Sequence, residues 1–451
     1  MERNHVLRGM AAVLAAVVLV GLLGGCKKKT EADLVIVSPH NQKIEEEFER
    51  AFKDWYQEKY GEEVSLEWRD IGGTSDITKY LMNVYKDNQT SGIDVYFGGG
   101  APDHRMLAEK DITVAAELDE EVVAGLPEDI GGVPQYDPAG RWYGAAASGF
   151  GIVYNVKLIH EHDLGVPKSW DDLADPIMYG RIAAANGNHS GSARAAYEMI
   201  VQSEPTWPEG WAKLLKIYAN SKRYTQGASD IPKDVANGDI LAGCAIDFYG
   251  YTQIQKSGEH MVGFSMPTET AAFTPDPISM LKGAPHPTVA KRFMEFVLSE
   301  EGQLLWCLPA GAEGGPKEHD LLRQPVRRDA YQAAQGRMLD PLIDPFTQGG
   351  GFTRNDESYR IRTSSLHGPL MQAAAIDNQQ ALAEAWKAII DKGMPDDLMR
   401  QFTALPDNLA DEQTALATAE KLSDPKTREK VLTDWQVYFR DKYKAIVEKA
   451  K

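Results

Sequence analysis

The stretch Ile93-Asp94-Val95-Tyr96-Phe97-Gly98-Gly99-Gly100 reads as a buried strand that runs directly into a glycine-rich turn. Upstream of it, Leu34 to Val37 and Val64 to Trp68 are two further strand candidates. Apolar residues spaced by three and four predict a helix from Gln42 to Tyr60, and the Gly72-Gly73-Thr74-Ser75 turn opens another through Tyr85. Strands that alternate with helices in this way favour α/β layers around mostly parallel sheets.

The alternation continues through the next two hundred residues. Ser169 fits a helix N-cap with Asp172 three positions later, and from Leu370 to the end the pattern is almost wholly helical. Thr288 to Leu305 reads as one amphipathic helix. The further strand candidates are Gly149 to Tyr154, Arg181 to Ala185, Ile240 to Ile246, Phe264 to Met266 and Ile278 to Leu281.

The N-terminus indicates export. Arg3 and Arg8 precede an apolar stretch from Met10 to Leu23 that is too short to span a bilayer comfortably. The following Gly24-Gly25-Cys26 resembles the lipobox of bacterial lipoproteins. Residues 1–25 are therefore expected to be a signal peptide, Cys26 the lipidated residue and 26–32 a tether. The alternative is an ordinary secretory signal with an incidental cysteine.

Charge and composition exclude several classes of function. The formal net charge of −18 argues against nucleic-acid binding, which needs a basic face. The chain contains no Gly-x-Ser-x-Gly elbow, no His-Glu-x-x-His and no phosphate-binding loop of the Walker type, so it is not expected to be an enzyme or to hold a cofactor. Cys244 and Cys307 are expected to be free buried thiols, with a disulfide between them as the alternative.

Four stretches in order resemble the family 1 extracellular solute-binding proteins of ABC importers, in the branch that binds ferric iron, phosphorylated solutes or polyamines. The first is Ser38-Pro39-His40-Asn41 after the first strand, and the second is Ile93 to Gly99. The third is Gly151-Ile152-Val153-Tyr154-Asn155 followed by Pro167 to Leu173 and Asp175 to Ile182. The last runs from Pro275 through Ala284-Pro285-His286 to Gln303. Together they span roughly residues 33 to 309.

The resemblance implies a type II periplasmic-binding fold with two α/β lobes joined by strand crossovers. The expected first lobe is 33–145 plus 268–316 and the second is 146–267, with crossovers near Ala145 to Ile152 and Val262 to Ala272. Residues 317–451 are expected to form a helical C-terminal extension that packs on the first lobe. The implied partners are a small solute, an ABC permease with its ATPase and, through Cys26, a membrane in the cell envelope. We expect a monomer whose lobes close on the solute.

An anion site is expected where Asn188-His189-Ser190-Gly191-Ser192-Ala193 leads into a helix. Free amides at a helix N-terminus and nearby hydroxyls suit a phosphate or a similar anion. Relatives bind such groups with a Ser-Gly-small stretch at this place. The alternative is plain N-capping by Ser190 or Ser192, which requires no ligand.

Further ligand contacts are expected at the other strand ends of both lobes. The resemblance implies His40 and Tyr249 as metal ligands only if the solute is ferric iron. Gly250 and Gly99 or Gly100 stand where ferric-binding relatives carry a second tyrosine and a glutamate, so an organic solute is favoured over iron, with a polyamine as a further alternative. A receptor that signals to a partner protein has the same expected fold. The additional predicted contacts are His40, Asn41, Thr74, Ser75, Gly99, Gly100, Ser148, Asp247, Tyr249 and Tyr251.

Overall fold

The computed structural model describes residues 32–267, 272–340, 342–347 and 357–451. The predicted signal peptide, the lipidation site at Cys26 and nearly all of the tether lie outside the described residues. None of the described helices is both long and apolar enough to span a membrane.

A mixed sheet forms the core of the first lobe. Its strand order is β2-β1-β3-β13-β4, and β7 also pairs with β13. The first strand is parallel to both of its neighbours, whereas β13 runs antiparallel to β3, β4 and β7. The strands are β1 (Leu34–Val37), β2 (Leu66–Arg69), β3 (Val95–Phe97), β4 (Thr113–Val114), β7 (Tyr143–Ser148) and β13 (Thr274–Leu281), and a separate hairpin consists of β5 (Asp129–Ile130) and β6 (Val133–Pro134).

Helices cover both faces of this sheet. The predicted helix from Gln42 to Tyr60 is confirmed, and Asn41 caps it by accepting from the amides of Lys43 and Ile44. The predicted single helix from Thr288 to Leu305 is wrong, because Ser299 takes an extended conformation and caps a second helix at the Gly302 amide. The helices are α1 (Gln42–Tyr60), α2 (Thr74–Val84), α3 (Ala101–Glu109), α4 (Glu120–Ala124), α11 (Pro287–Leu298) and α12 (Glu300–Cys307).

The second lobe has its own sheet with the order β10-β9-β11-β8-β12. The predicted capping box at Ser169 and Asp172 is confirmed. The strands are β8 (Phe150–Asn155), β9 (Ile182–Ala185), β10 (Ser221–Thr225), β11 (Ala242–Ile246) and β12 (Val262–Ser265). The helices are α5 (Val156–Glu161), α6 (Trp170–Ala174), α7 (Gly191–Gln202), α8 (Trp207–Asn220), α9 (Asp230–Asn237) and α10 (Asp247–Ser257).

Two strand connections join the lobes. Gly149 alone separates β7 of the first sheet from β8 of the second, within the stretch predicted for the first crossover. The return connection runs from β12 to β13, and its residues 268–271 lie outside the description. Cys244 lies in β11 and Cys307 at the end of α12, and both are free thiols, as predicted. Burial raises the pKa of each thiol to about 12.

The C-terminal extension divides between the two lobes, and the prediction that it packs on the first lobe is wrong for most of its length. Leu321 and Val326 join the core of the first lobe, but the helices from residue 357 onward share one hydrophobic core with the second lobe. The reason lies in α8, whose buried apolar residues form a broad face that needs a cover besides the sheet of the second lobe. The helices are α13 (Arg328–Ala333), α14 (Glu357–Met371), α15 (Gln379–Asp391), α16 (Asp396–Thr403), α17 (Glu412–Lys421) and α18 (Pro425–Lys449).

Polar contacts fix the extension against the second lobe. The indole of Trp386 donates to Asn220 Oδ1 (2.7 Å), and that of Trp207 donates to the Leu409 carbonyl (2.9 Å). His367 is buried, stacks on Trp211 and binds Glu198 of α7. Each of these buried bonds joins the extension to the lobe, so separation of the two would break all of them.

Candidate functional site

Two helix N-termini oppose each other across the cleft between the lobes. Helix α2 of the first lobe begins at Thr74 and α7 of the second begins at Gly191. A Cβ atom built on Gly191 would lie 3.9 Å from Thr74 Cβ, so the two first turns are in contact distance. The first amides of each helix have no partner within it and carry a partial positive charge. The cleft therefore presents two converging sets of donors.

The predicted anion loop is capped by its own serine. Ser190 Oγ accepts from the Ala193 amide (3.2 Å) and lies 3.1 Å from Ser192 Oγ. N-capping is thus observed, and it leaves the earlier amides of Gly191 and Ser192 available to a ligand. His189 is exposed to solvent.

An arginine that the sequence analysis missed completes this side of the cleft. Arg194, in the first turn of α7, reaches across to Asp103 of α3 with an Nη2–Oδ2 distance of 3.7 Å. Asp103 also accepts from Thr78 Oγ1 (3.1 Å). Burial raises the pKa of Asp103, and the charge of Arg194 opposes that shift. The pair joins the lobes directly and places a guanidinium beside the α7 N-terminus.

The glycine turn after β3 lines the first-lobe side. Gly98 and Gly99 have φ values of 99° and 101°, which L side chains rarely adopt. A Cβ on Gly98 would lie 2.6 Å from the His40 ring, and one on Gly99 would lie 3.1 Å from Thr74 Cγ2. Gly100 is the N-cap of α3 and offers no capping side chain. Ser75 Oγ is buried and has no hydrogen-bond partner among the described residues.

A charged cluster lies beside the two crossovers. His40 Nε2 is 3.1 Å from Asp276 Oδ2, and Asp276 also pairs with Arg323, whose guanidinium donates to Ser148 Oγ (2.9 Å). Arg323 lies 4.3 Å from the centre of the Phe248 ring and its side chain is 1% exposed. Burial opposes ionisation of Asp276, but the charge of Arg323 and the bond to His40 hold its pKa at about 2. Burial lowers the pKa of His40, so its ring is neutral near pH 7.

Three predicted contacts have structural roles instead. Asn41 is exposed, and its side chain caps α1. Asp247 begins helix α10, and its carboxylate accepts from the amides of Gly149 (2.6 Å) and Phe248 (2.7 Å). Burial raises its pKa to about 7. Tyr251 is buried in a hydrophobic cluster. Asp247 thus fastens the first crossover, and Tyr251 packs against α12 and α13.

The remaining aromatic position bears on the iron alternative. Tyr249 is partly buried against Phe248, with ring centres 4.3 Å apart. At the next position, a Cβ on Gly250 would lie 2.5 Å from the Phe264 ring, which leaves no space for the second tyrosine of ferric-binding relatives. Among the described residues, no group of three or more His, Cys, Asp or Glu side chains is placed to hold a metal ion.

His104 fixes the glycine turn from behind. Its Nε2 lies 2.9 Å from the Gly98 carbonyl, and its Nδ1 lies 2.6 Å from Ser279 Oγ. Because a carbonyl can only accept, Nε2 carries a proton. Burial lowers the pKa of His104 to about 4. No local sequence pattern marks this residue.

We expect His104 to make the folded protein less stable in acid. Between pH 6.5 and 4 the unfolded chain binds a proton at His104 that the native chain does not, so the free energy of unfolding falls as pH falls. The full shift corresponds to about 3 kcal/mol. In His104→Gln, chemical denaturation at several pH values should give a shallower decline. His189→Gln, at an exposed position, should keep the wild-type decline, and equal slopes in all three proteins would contradict the assignment.

Comparison with known proteins agrees with this architecture. The family profile described as bacterial extracellular solute-binding protein matches residues 111–321. The phosphoglycerate transport regulatory protein PgtC of Salmonella typhimurium is 22% identical over 314 residues, covering 67% of this chain and 72% of PgtC.

Solved structures extend the likeness to the fold. The periplasmic binding protein AfuA of Actinobacillus pleuropneumoniae, with fructose-6-phosphate bound, superposes with a TM-score of 0.58 at 18% identity. The match covers 80% of this chain and 99% of AfuA. Iron-bound HitA of Pseudomonas aeruginosa gives a TM-score of 0.52 at 22% identity over 71% of this chain and 92% of HitA. The chain has the type II periplasmic-binding fold, as predicted.

Proposed function

We propose that this protein is the substrate-binding component of an ABC importer and captures a phosphorylated or otherwise anionic small molecule between its lobes. The observation that carries the proposal is the meeting of Arg194 with the N-termini of α2 and α7 across the cleft. Amides and a guanidinium are the donors that phosphate groups prefer. The same solute class is supported by the name of PgtC, which refers to phosphoglycerate, and by the fructose-6-phosphate bound to AfuA.

Closure follows from where these donors lie. Thr74, Ser75, Gly99 and Gly100 belong to the first lobe, whereas Ser190 to Arg194 belong to the second. A solute that contacts both sets gains affinity only when the lobes approach each other, so it shifts the population toward the closed form. A permease with its ATPase would then receive the solute from that form.

Attachment to the cell envelope is part of the proposal. The Leu23-Gly24-Gly25-Cys26 stretch supports lipidation of Cys26 after removal of residues 1–25. Fractionation of cells that produce Cys26→Ala tests this, since a lipid-anchored protein would move from the membrane to the soluble fraction.

Two alternatives have some support. A receptor that reports its solute to a signalling partner is favoured by the word regulatory in the name of PgtC and by a structural neighbour described as a two-component system protein. Crosslinking in cells would distinguish transport from signalling, since a transport protein would be recovered with a permease and a receptor with a sensor. The likeness to iron-bound HitA supports ferric iron as the solute. Against it, the predicted iron ligand His40 is hydrogen-bonded to Asp276.

Substitution of Arg194 tests the anion site. Titration calorimetry with a sugar phosphate should show that Arg194→Gln weakens binding by about tenfold to a hundredfold. This is the change in affinity expected when one hydrogen bond to a charged group is lost. The double variant Ser190→Ala, Ser192→Ala should lose about 1–3 kcal/mol of binding free energy if both hydroxyls are donors. Arg440→Gln, an exposed arginine paired only locally with Asp441, is the matched control. Unchanged affinity in Arg194→Gln would refute the site.

A further inference from the structure

The cluster beside the crossovers contains four polar atoms that lack partners. These atoms are His40 Nδ1, Asp276 Oδ1, and Nε and Nη1 of Arg323, and each is buried without a hydrogen bond to any described residue. Buried polar atoms are almost always paired, and an orphaned one is costly. Four in one cluster mark a place where a bound molecule can supply the missing partners.

The four atoms offer donors and acceptors in equal number. His40 donates through Nε2 to Asp276, because a carboxylate can only accept, and Nδ1 of the neutral ring is therefore an acceptor. Asp276 Oδ1 is a second acceptor, whereas the two nitrogens of Arg323 can only donate. A hydroxyl group both donates and accepts, so it satisfies such a set. A carboxylate would bring its negative charge against the ionised Asp276.

This cluster adjoins the anion site. The His40 ring packs against Gly98, and Thr74 packs against Gly99, the next residue of the same turn. Consecutive Cα atoms are about 3.8 Å apart across a trans peptide. A small molecule held at Thr74 and Gly191 by a phosphate can therefore extend its other end along the turn toward His40 and Arg323.

We propose that His40, Asp276 and Arg323 form a hydroxyl-reading subsite, and that the solute is a phosphorylated polyol or sugar rather than a phosphorylated carboxylic acid. The inference rests on the proposed function, since the anion site must hold the phosphate end. In this arrangement Ser148 positions the guanidinium of Arg323 and does not itself bind solute.

Three phosphates with the same number of carbons test the subsite on the unmodified protein. Glycerol 3-phosphate carries two hydroxyls, 3-phosphoglycerate carries one hydroxyl and a carboxylate, and n-propyl phosphate carries neither. By calorimetry, glycerol 3-phosphate should bind at least tenfold more tightly than each of the other two. Equal affinity for glycerol 3-phosphate and n-propyl phosphate, or a preference for 3-phosphoglycerate, overturns the subsite and leaves the anion site standing. Failure of all three and of inorganic phosphate overturns the proposed function as well.

A conservative variant supplies a second readout. In His40→Gln the amide nitrogen can replace Nε2 toward Asp276, but the Nδ1 acceptor is lost. Affinity for glycerol 3-phosphate should fall about tenfold, whereas that for n-propyl phosphate should not change. His160→Gln, an exposed histidine in α5 outside the site, should leave the ratio of the two affinities at the wild-type value. An equal loss for both compounds in His40→Gln would assign the histidine a purely structural role and overturn the proposal.

Discussion

A chain that ends at Thr347 is expected to lose the folded second lobe and to aggregate. Truncation would expose one face of α8, where Trp207, Trp211 and Tyr218 are at most 1% exposed in the whole protein. Burial of one large apolar side chain contributes about 1.5–3 kcal/mol, and the net stability of a native protein is only about 5–15 kcal/mol. The buried carboxylate of Glu198 would also lose His367.

Circular dichroism and size-exclusion chromatography of the truncated chain measure this loss. A chain that ends at Lys449 is the control, since it removes only the last two residues and keeps α18 complete. Within the full chain, Trp386→Ala should lower the free energy of unfolding by about 3–5 kcal/mol, whereas Val437→Ala, at an exposed position of α18, should change it little. A soluble truncated chain with a cooperative unfolding transition would contradict the shared core.

Replacement of Arg323 by methionine is expected to cost about 3–5 kcal/mol of stability, because it leaves a buried carboxylate without its main counter-charge. Asp276 is buried and ionised at neutral pH, and the ring of its other partner, His40, is neutral and supplies no counter-charge. The variant also removes the stacking of the guanidinium on Phe248 and its bond to Ser148.

Urea denaturation at pH 7 measures the change. The double variant Arg323→Met, Asp276→Asn should recover part of the loss, since it removes the isolated charge. Arg440→Met changes an exposed arginine and should stay within about 0.5 kcal/mol of the wild type. A single variant as stable as the control would show that Asp276 does not depend on Arg323 for its charge.

The sequence predicted the elements that depend on local pattern. Strand β3, helix α1 and the capping box at Ser169 follow from alternation, three-to-four spacing and capping chemistry, all of which act within a few residues. Helix α10 was not predicted from the sequence. Its first residue, Asp247, accepts a hydrogen bond from the amide of Gly149, nearly a hundred residues earlier, and no local pattern records that contact.

The site depends on contacts between distant parts of the chain, which no local pattern records. Arg323 reaches the cleft from the segment that follows both lobes, and Asp276 meets it from β13. Arg194 was within reach of sequence reasoning, since it is a lone cation in the first turn of a helix that starts with small residues. The broad apolar face of α8, with three aromatic residues, could likewise have shown which lobe the extension covers.

The shared core of α8 and the extension determines which pieces of this protein can be exchanged with relatives. A chimera that takes only residues 149–267 from another protein would receive an α8 whose outer face does not match the C-terminal helices of this chain. The workable exchange unit consists of two separated segments, the second lobe and residues 357–451, with the crossovers as the natural joints. Asn188 belongs to the same unit, because its side chain donates to the Gly368 carbonyl of α14 (3.2 Å) just before the anion loop. New solute specificity is therefore best grafted together with the C-terminal helices that support it.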